Sequence, residues 1–201
     1  QWEQSYSEWL TENADSIARM TVKTAPWTKA SSWAEPYLKR AEEQGLISVC
    51  IYGTDMTQNM TRFEFASTVM RIYEAAGGAP VTITARFSDT SDADIQSAAT
   101  LGIVNGTGNG IFSPRGLLTR EQAVTMLGRA YALFREASAD GAELPYSDAA
   151  QIADYARQPA ALLTGLGVLS GSGDGMLHPK SNLTREQAIK LAVELLAKLN
   201  G

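Results

Sequence analysis

Three arginines occupy positions that repel cations. Arg62, Arg120 and Arg185 each follow a threonine, in the tetrads Thr61-Arg62-Phe63-Glu64, Thr119-Arg120-Glu121-Gln122 and Thr184-Arg185-Glu186-Gln187. The threonine and the Glu or Gln three residues on have the spacing of a capping box. In that motif the hydroxyl accepts a backbone N–H and the longer side chain reaches back to the threonine's own N–H. Such a cap contributes about 1 kcal/mol and accounts for both outer residues. It leaves the arginine at the first helical position, beside the positive pole of the helix dipole, where an exposed cation costs about 0.3–1 kcal/mol. Repeated in all three tetrads, this placement requires a partner. One candidate is an internal carboxylate, Asp89 or Asp148, forming a structural ion pair. The other is an external anion held jointly by the guanidinium and free backbone N–H groups. The two are compatible if an aspartate orients the arginine toward a ligand.

The elements that would carry these arginines repeat as well. Arg62 and Arg120 are 58 residues apart, and Arg120 and Arg185 are 65 apart. After each, apolar residues recur at helical spacing: Phe65, Val69, Ile72 and Tyr73; Ala123, Met126, Leu127 and Ala130; Ala188, Leu191, Ala192 and Leu195. Three helices with one apolar face each imply a shared core. An upstream helix precedes each of them, in "WAEPYLKRAEEQGLI", "ADIQSAATLGIV" and "YARQPAALLTGLGVL", and a glycine closes each one: Gly45, Gly102 and Gly167. Between the helices lie "NGTGNGIFSP" and "SGSGDGMLHP", loops in which glycine permits turns and Pro114 and Pro179 stop further helix.

Composition narrows the function. The chain has 201 residues and a net charge of −5, which excludes a general affinity for nucleic acid or an anionic membrane. No run approaches the roughly 18 apolar residues of a membrane span. The chain opens on Gln1 with no signal-peptide pattern, as expected of a processed or excised piece. Cys50 is the sole cysteine and sits in the apolar run "LISVCIY", so a buried thiol is expected. Trp2, Tyr6, Trp9, Leu10 and Ile17 suggest an N-terminal helix that packs on the repeats or ends a missing domain.

From about Trp27 to Leu199 the chain resembles the S-layer homology (SLH) family. The carriers are Phe87-x-Asp89 and Tyr146-x-Asp148, Trp33 and Tyr155 opening helices, and Gly102-Ile103 and Gly167-Val168. The Gly-x-Gly loops (Gly106/Gly108, Gly171/Gly173), Phe112-x-Pro114 and the Thr-Arg tetrads complete the set. The resemblance implies an all-α fold: three tandem helix–loop–helix repeats in a pseudo-threefold arrangement around a central three-helix bundle. Its divisions would be an N-terminal extension at 1–24, a degenerate repeat at 25–79, and repeats at 86–138 and 145–201. It implies non-covalent attachment of an exported protein to a secondary polysaccharide of the bacterial cell wall, often through a pyruvylated amino sugar bearing a carboxylate. Localisation would be extracellular, in the cell wall or S-layer. The ligand would lie in grooves between repeats, against Arg62, Arg120 and Arg185, with Trp33, Tyr155, Asp89, Asp148, Gly106 and Gly171 contributing. The first unit departs from the pattern: Trp27-Thr28-Lys29 stands where aromatic-x-Asp belongs, and "YGTDMTQNM" replaces the glycine-rich loop. At least one groove is therefore expected to be weak.

Other chemistries have little material. Asn105-x-Thr107-x-Asn109 and Ser170-x-Ser172-x-Asp174 have too few carboxylates for calcium, and Gly116 or Ser181 stands where an EF-hand needs glutamate. His178, the only histidine, takes the loop position of Ser113 and is read as solvated or loop-packed. No metal, cofactor or catalytic residue is assigned. Asp92 and Asp94 read as helix-starting acids and Glu42-Glu43 as a solvated face. Trp33 and Tyr155 are read first as core anchors, with stacking on a sugar as a secondary role. Three function classes remain: a glycan-binding anchor, favoured; a structural or protein-interaction module whose arginines pair only with aspartates; and a scaffold beside a catalytic domain elsewhere in a longer protein.

Overall fold

A computed structural model describes residues 26–136 and 144–201. The expected N-terminal extension at 1–24 and most of the linker before Leu144 lie outside the described residues. The chain runs β1 (Trp27–Lys29), α1 (Glu35–Glu43), β2 (Thr54–Asp55), α2 (Arg62–Ala75), α3 (Ala93–Thr100), α4 (Arg120–Ala132), a 3₁₀ turn (Ala149–Gln151), α5 (Asp154–Gly165) and α6 (Arg185–Asn200). The fold is all-α apart from the short parallel pair β1–β2.

All three capping boxes form. Thr61, Thr119 and Thr184 each accept from the N–H three residues on, and Glu64, Gln122 and Gln187 each accept the threonine's own N–H. The inner helices α2, α4 and α6 touch one another pairwise, forming the central bundle. At their entry a closed ring of backbone hydrogen bonds joins the three units. Leu118 N–H donates to Met60 O at 2.9 Å, Met60 N–H to Leu183 O at 2.8 Å, and Leu183 N–H to Leu118 O at 3.0 Å. All three side chains are buried. Full burial of each contributes about 1.5–3 kcal/mol, and the ring satisfies backbone groups that water cannot reach.

Each outer helix packs chiefly on the inner helix of the preceding unit: α3 on α2, α5 on α4, and α1 on α6. The first outer helix therefore closes the ring against the last inner one. The interface of α4 with α5 is close enough that a Cβ on Gly128 would lie 2.8 Å from the Cβ of Pro159. Gly45, Gly102 and Gly167 end the outer helices at φ 70°, 73° and 72°, a region that favours glycine.

Candidate functional site

The helix N-termini are not free anion cradles. The first two amides of each inner helix donate across to carbonyls of the next unit's loop. Arg62 and Phe63 N–H reach Gly116 and Pro114 O; Arg120 and Glu121 N–H reach Ser181 and Pro179 O; Arg185 and Glu186 N–H reach Gln58 and Met56 O. With the third amide held by the threonine, the expected joint grip of guanidinium and helix N–H on a ligand is not available. The arginine side chains extend across the same junction.

The three guanidiniums meet different partners. Arg62, 8% exposed, donates from Nε to Phe112 O at 2.9 Å and from Nη2 to Asn105 O at 3.0 Å, and its guanidinium lies 4.6 Å from the Phe112 ring centroid. Arg120 donates from Nη2 to Ser170 O at 2.8 Å, while its buried Nε has no partner among the described residues. Burial lowers the pKa of both, and among the described residues no carboxylate touches either. Arg185 differs. Its Nη2 lies 2.6 Å from Glu64 Oε1 and its Nε 3.1 Å from the same oxygen. Both side chains are largely buried. For Arg185 the internal-carboxylate alternative holds, with Glu64 as the partner rather than Asp89 or Asp148.

Asp89 and Asp148 make no ion-pair contact with these arginines, so the structural ion pair offered as one candidate does not form; Asp89 stabilises the Arg62 charge, and Asp148 that of Arg120, only through space. Each clamps the loop of its own unit. Asp89 accepts from Phe112 and Ser113 N–H at 2.9 and 2.7 Å, and Asp148 from Leu177 and His178 N–H at 2.8 Å each. Phe112 and Ser113 N–H donation holds the Asp89 carboxyl below its ordinary pKa. Burial opposes the Asp148 charge, but its two amide donors outweigh burial and hold its pKa down too. The clamps support residues in left-handed backbone, Ser113 at φ 61° and His178 at φ 55°, which bears out their equivalence. The first unit lacks the aspartate; there Lys29 O accepts Met56 N–H at 2.9 Å within the β1–β2 pairing. Gly106 and Gly171 sit against their own loops. A Cβ would lie 2.4 Å from Ile111 O in the first and 2.8 Å from Met176 O in the second.

Two open grooves result, each drawing on all three units. One, of about 500 Å³, is lined by Arg62, Asn105, Gly106, Gln122, Arg129 and Tyr155 among others. The other, of about 540 Å³, is lined by Trp33, Arg120, Gly171, His178, Gln187 and Lys190 among others. Trp33 and Tyr155 are not core anchors. They are 45% and 50% exposed, and the alanine after each, Ala34 and Ala156, is the buried residue. His178 stands at the groove edge with Nε2 2.7 Å from Asp174 Oδ2. Asp89 and Asp148 line neither groove and act by fixing the loops.

Sequence reasoning missed Glu121 and Glu186. Glu121 accepts from Ala153 N–H at 3.1 Å, Tyr155 O–H at 3.0 Å and Lys180 Nζ at 2.7 Å, anchoring the start of α5 and its aromatic. Burial and then the bond to Glu121 push the Tyr155 hydroxyl up to about 12. Glu186 accepts both the N–H and the hydroxyl of Ser31, just before Trp33. The available signal was the acid that follows the arginine in two tetrads, where the first has Phe63.

A third cleft of about 370 Å³ runs past Cys50, Glu64, Thr90 and Arg115, and Arg185 is not among its lining residues. Cys50 Sγ lies 3.1 Å from Ser48 Oγ, and burial raises its pKa. Among the described residues no cluster of His, Cys, Asp or Glu converges as a metal site, and no helix is long and apolar enough to cross a membrane.

The S-layer homology domain matches residues 87–124 and 145–189. The chain is 35% identical over 176 residues to an endoglucanase of Bacillus sp. (strain KSM-635), covering 85% of this chain and 18% of that protein. It is 29% identical over 147 residues to an amylopullulanase of Thermoanaerobacterium thermosulfurigenes, covering 70% and 8%. It is 26% identical over 155 residues to exoglucanase XynX of Acetivibrio thermocellus, covering 72% and 14%. The chain thus spans less than a fifth of the length of each of these relatives. The matched segments carry the Asp89 and Asp148 clamps, both glycine loops and two of the tetrads, and the chain belongs to the S-layer homology family of non-catalytic cell-surface anchoring modules.

Proposed function

We propose that the chain anchors a bacterial surface protein to the cell wall by holding an anionic secondary polysaccharide in the two open grooves. A pyruvylated amino sugar is the chemistry that suits them. Its carboxylate would meet Arg62 or Arg120, and its ring would lie against Tyr155 or Trp33. The observation that carries this reading is that both guanidiniums border open grooves with no internal carboxylate on them, beside a half-exposed aromatic. Asp89 and Asp148 stabilise the charges of Arg62 and Arg120 through space without bonding to them, so a direct anionic contact is left for a ligand. The unpartnered Nε of Arg120 supports the same reading. Residues 25–79, 86–138 and 145–201 act together, since each groove draws on all of them. The protein would work outside the cell, and other domains of a longer protein would supply any enzymatic activity.

The test is co-sedimentation of the chain with purified cell walls before and after the secondary polymer is stripped. Binding should be lost with the polymer. Undiminished pelleting with stripped walls would refute the glycan reading and leave a protein or peptidoglycan partner. The purely structural alternative fits one arginine, Arg185, whose ion pair with Glu64 is internal.

A further inference from the structure

Two inner helices carry an arginine at the same point of their length. Arg71 is the ninth residue after Arg62, and Arg129 is the ninth after Arg120. Arg71 is neutralised from within: its Nη1 lies 3.0 Å from Glu74 Oε2 and its Nη2 3.0 Å from Asp94 Oδ1. At Arg129 neither acid is present. Counted back from the glycine that closes each outer helix, Pro159 takes the place of Asp94; counted along the inner helix, Ala132 takes that of Glu74. Among the described residues Arg129 makes no ion pair. Its guanidinium lies 3.5 Å from Ile103 O. In the amide orientation that also lets Asn105 donate to Val104 O, it donates to the side-chain oxygen of Asn105 at 3.3 Å. Arg62 holds the backbone oxygen of that same Asn105 at 3.0 Å. The two guanidiniums thus flank one residue, and both line one groove. Both also favour ionisation of the Tyr155 hydroxyl through space.

We infer that the Arg62 groove takes a saccharide bearing two acidic groups, one carboxylate on Arg62 and a second acid on Arg129. This rests on the glycan-binding reading and deepens it by setting the charge of the ligand. Two guanidiniums that flank one residue repel each other, and the acids that act on this groove are committed elsewhere. Asp89 is held by the loop amides of Phe112 and Ser113, and Glu121 by Ala153, Tyr155 and Lys180. A single anion would leave one of the two charges without a direct partner, whereas two acids match both with charge-assisted hydrogen bonds. The Arg120 groove differs. Its second cation is Lys190, the fifth residue after Arg185 rather than the ninth, seated 5.4 Å from the Tyr37 ring centroid. An ammonium is a strongly hydrated point charge and lacks the fork with which a guanidinium grips a carboxylate. The preference for a doubly acidic unit therefore belongs to the Arg62 groove.

The experiment is calorimetric titration of the full chain with two matched disaccharides: a pyruvylated amino sugar joined to a uronic acid, and the same disaccharide with the uronate methyl-esterified. The Arg120→Ala variant isolates the Arg62 groove. There the free acid should bind about tenfold more tightly than the ester, the scale of one added charge-assisted hydrogen bond. Wild type, with both grooves intact, should show that preference in one of its two equivalents. Adding Arg129→Gln should abolish the difference between acid and ester, and Arg129→Lys, which keeps the charge, should restore most of it. Equal affinity for acid and ester in both wild type and Arg120→Ala, or a tenfold difference that survives Arg129→Gln, overturns the inference while the glycan reading stands. A wild-type chain that binds neither disaccharide overturns the glycan reading itself, and the inference with it.

Discussion

At the residue scale, the three arginines divide by partner. Arg62 and Arg120 face grooves, so replacing either with alanine should weaken sugar binding by about 2–4 kcal/mol in a calorimetric titration. Arg185 is tied to Glu64 across 121 residues of chain. Arg185→Ala should leave affinity unchanged and cost about 3 kcal/mol of stability, because it strands a buried carboxylate; denaturant unfolding measures this. The arginines were legible in the sequence because a cation at a helix start contradicts the dipole. Their partners were not. Arg62 bonds to carbonyls of residues 105 and 112, which every residue type possesses, and Glu64 looked fully explained by the cap. Trp33 and Tyr155 were misread as core anchors because an aromatic near a helix start has the same pattern whether it turns inward or outward. The neighbouring alanines, small enough to pack under the helix, take the buried place.

At the element scale, helix starts were readable and helix partners were not. The capping boxes, closing glycines and apolar stripes are local, within one turn of the residues that create them. Which helix packs on which is settled by distant surfaces, and the sequence unit of outer then inner helix is not the packing unit. Helix α5 lies on α4, and α1 on α6. Gly128→Ala tests the α4–α5 contact: the added methyl meets Pro159 at 2.8 Å and should destabilise the fold by about 1–3 kcal/mol, measured by urea unfolding. Gly106→Ala tests the loop. Its Cβ would lie 2.4 Å from Ile111 O and 2.9 Å from Phe87 Cε1, so the loop must shift and the Arg62 groove should lose its ligand. The short β1–β2 pair was not expected, because its two strands are too brief to show alternation. It does in the first unit, through backbone, what the Asp89 and Asp148 clamps do in the others.

At the scale of the whole molecule, the chain is a closed ring in which each groove borrows from all three units. The first unit, the poorest match to the family pattern, completes both open grooves by supplying Arg62 to one and Trp33 to the other. Removing it should abolish binding even though both family-matched segments remain. Acid should act on the ring through its clamps. Asp89 and Asp148 have folded pKa values below the ordinary 3.8, so their stabilisation is fully present above that value. It is lost as pH falls through the lower folded values, because the unfolded chain then binds more protons. A melting temperature steady down to about pH 4 and falling below it is expected, and Asp148→Asn should flatten that fall. The −5 net charge gave no hint of the grooves, since composition averages over the whole surface and does not show that Arg62 and Arg129 line one groove and Arg120 and Lys190 the other.

The central claim, that two guanidiniums in inter-unit grooves hold the carboxylate of a wall sugar, is tested most directly by equilibrium titration of the Arg62→Ala/Arg120→Ala double variant beside wild type, using a pyruvylated amino-sugar fragment. The account predicts two bound equivalents for wild type and no measurable heat for the double variant, with both proteins folded. Binding of comparable affinity in the double variant, or its loss only when Arg185 is replaced, would contradict it.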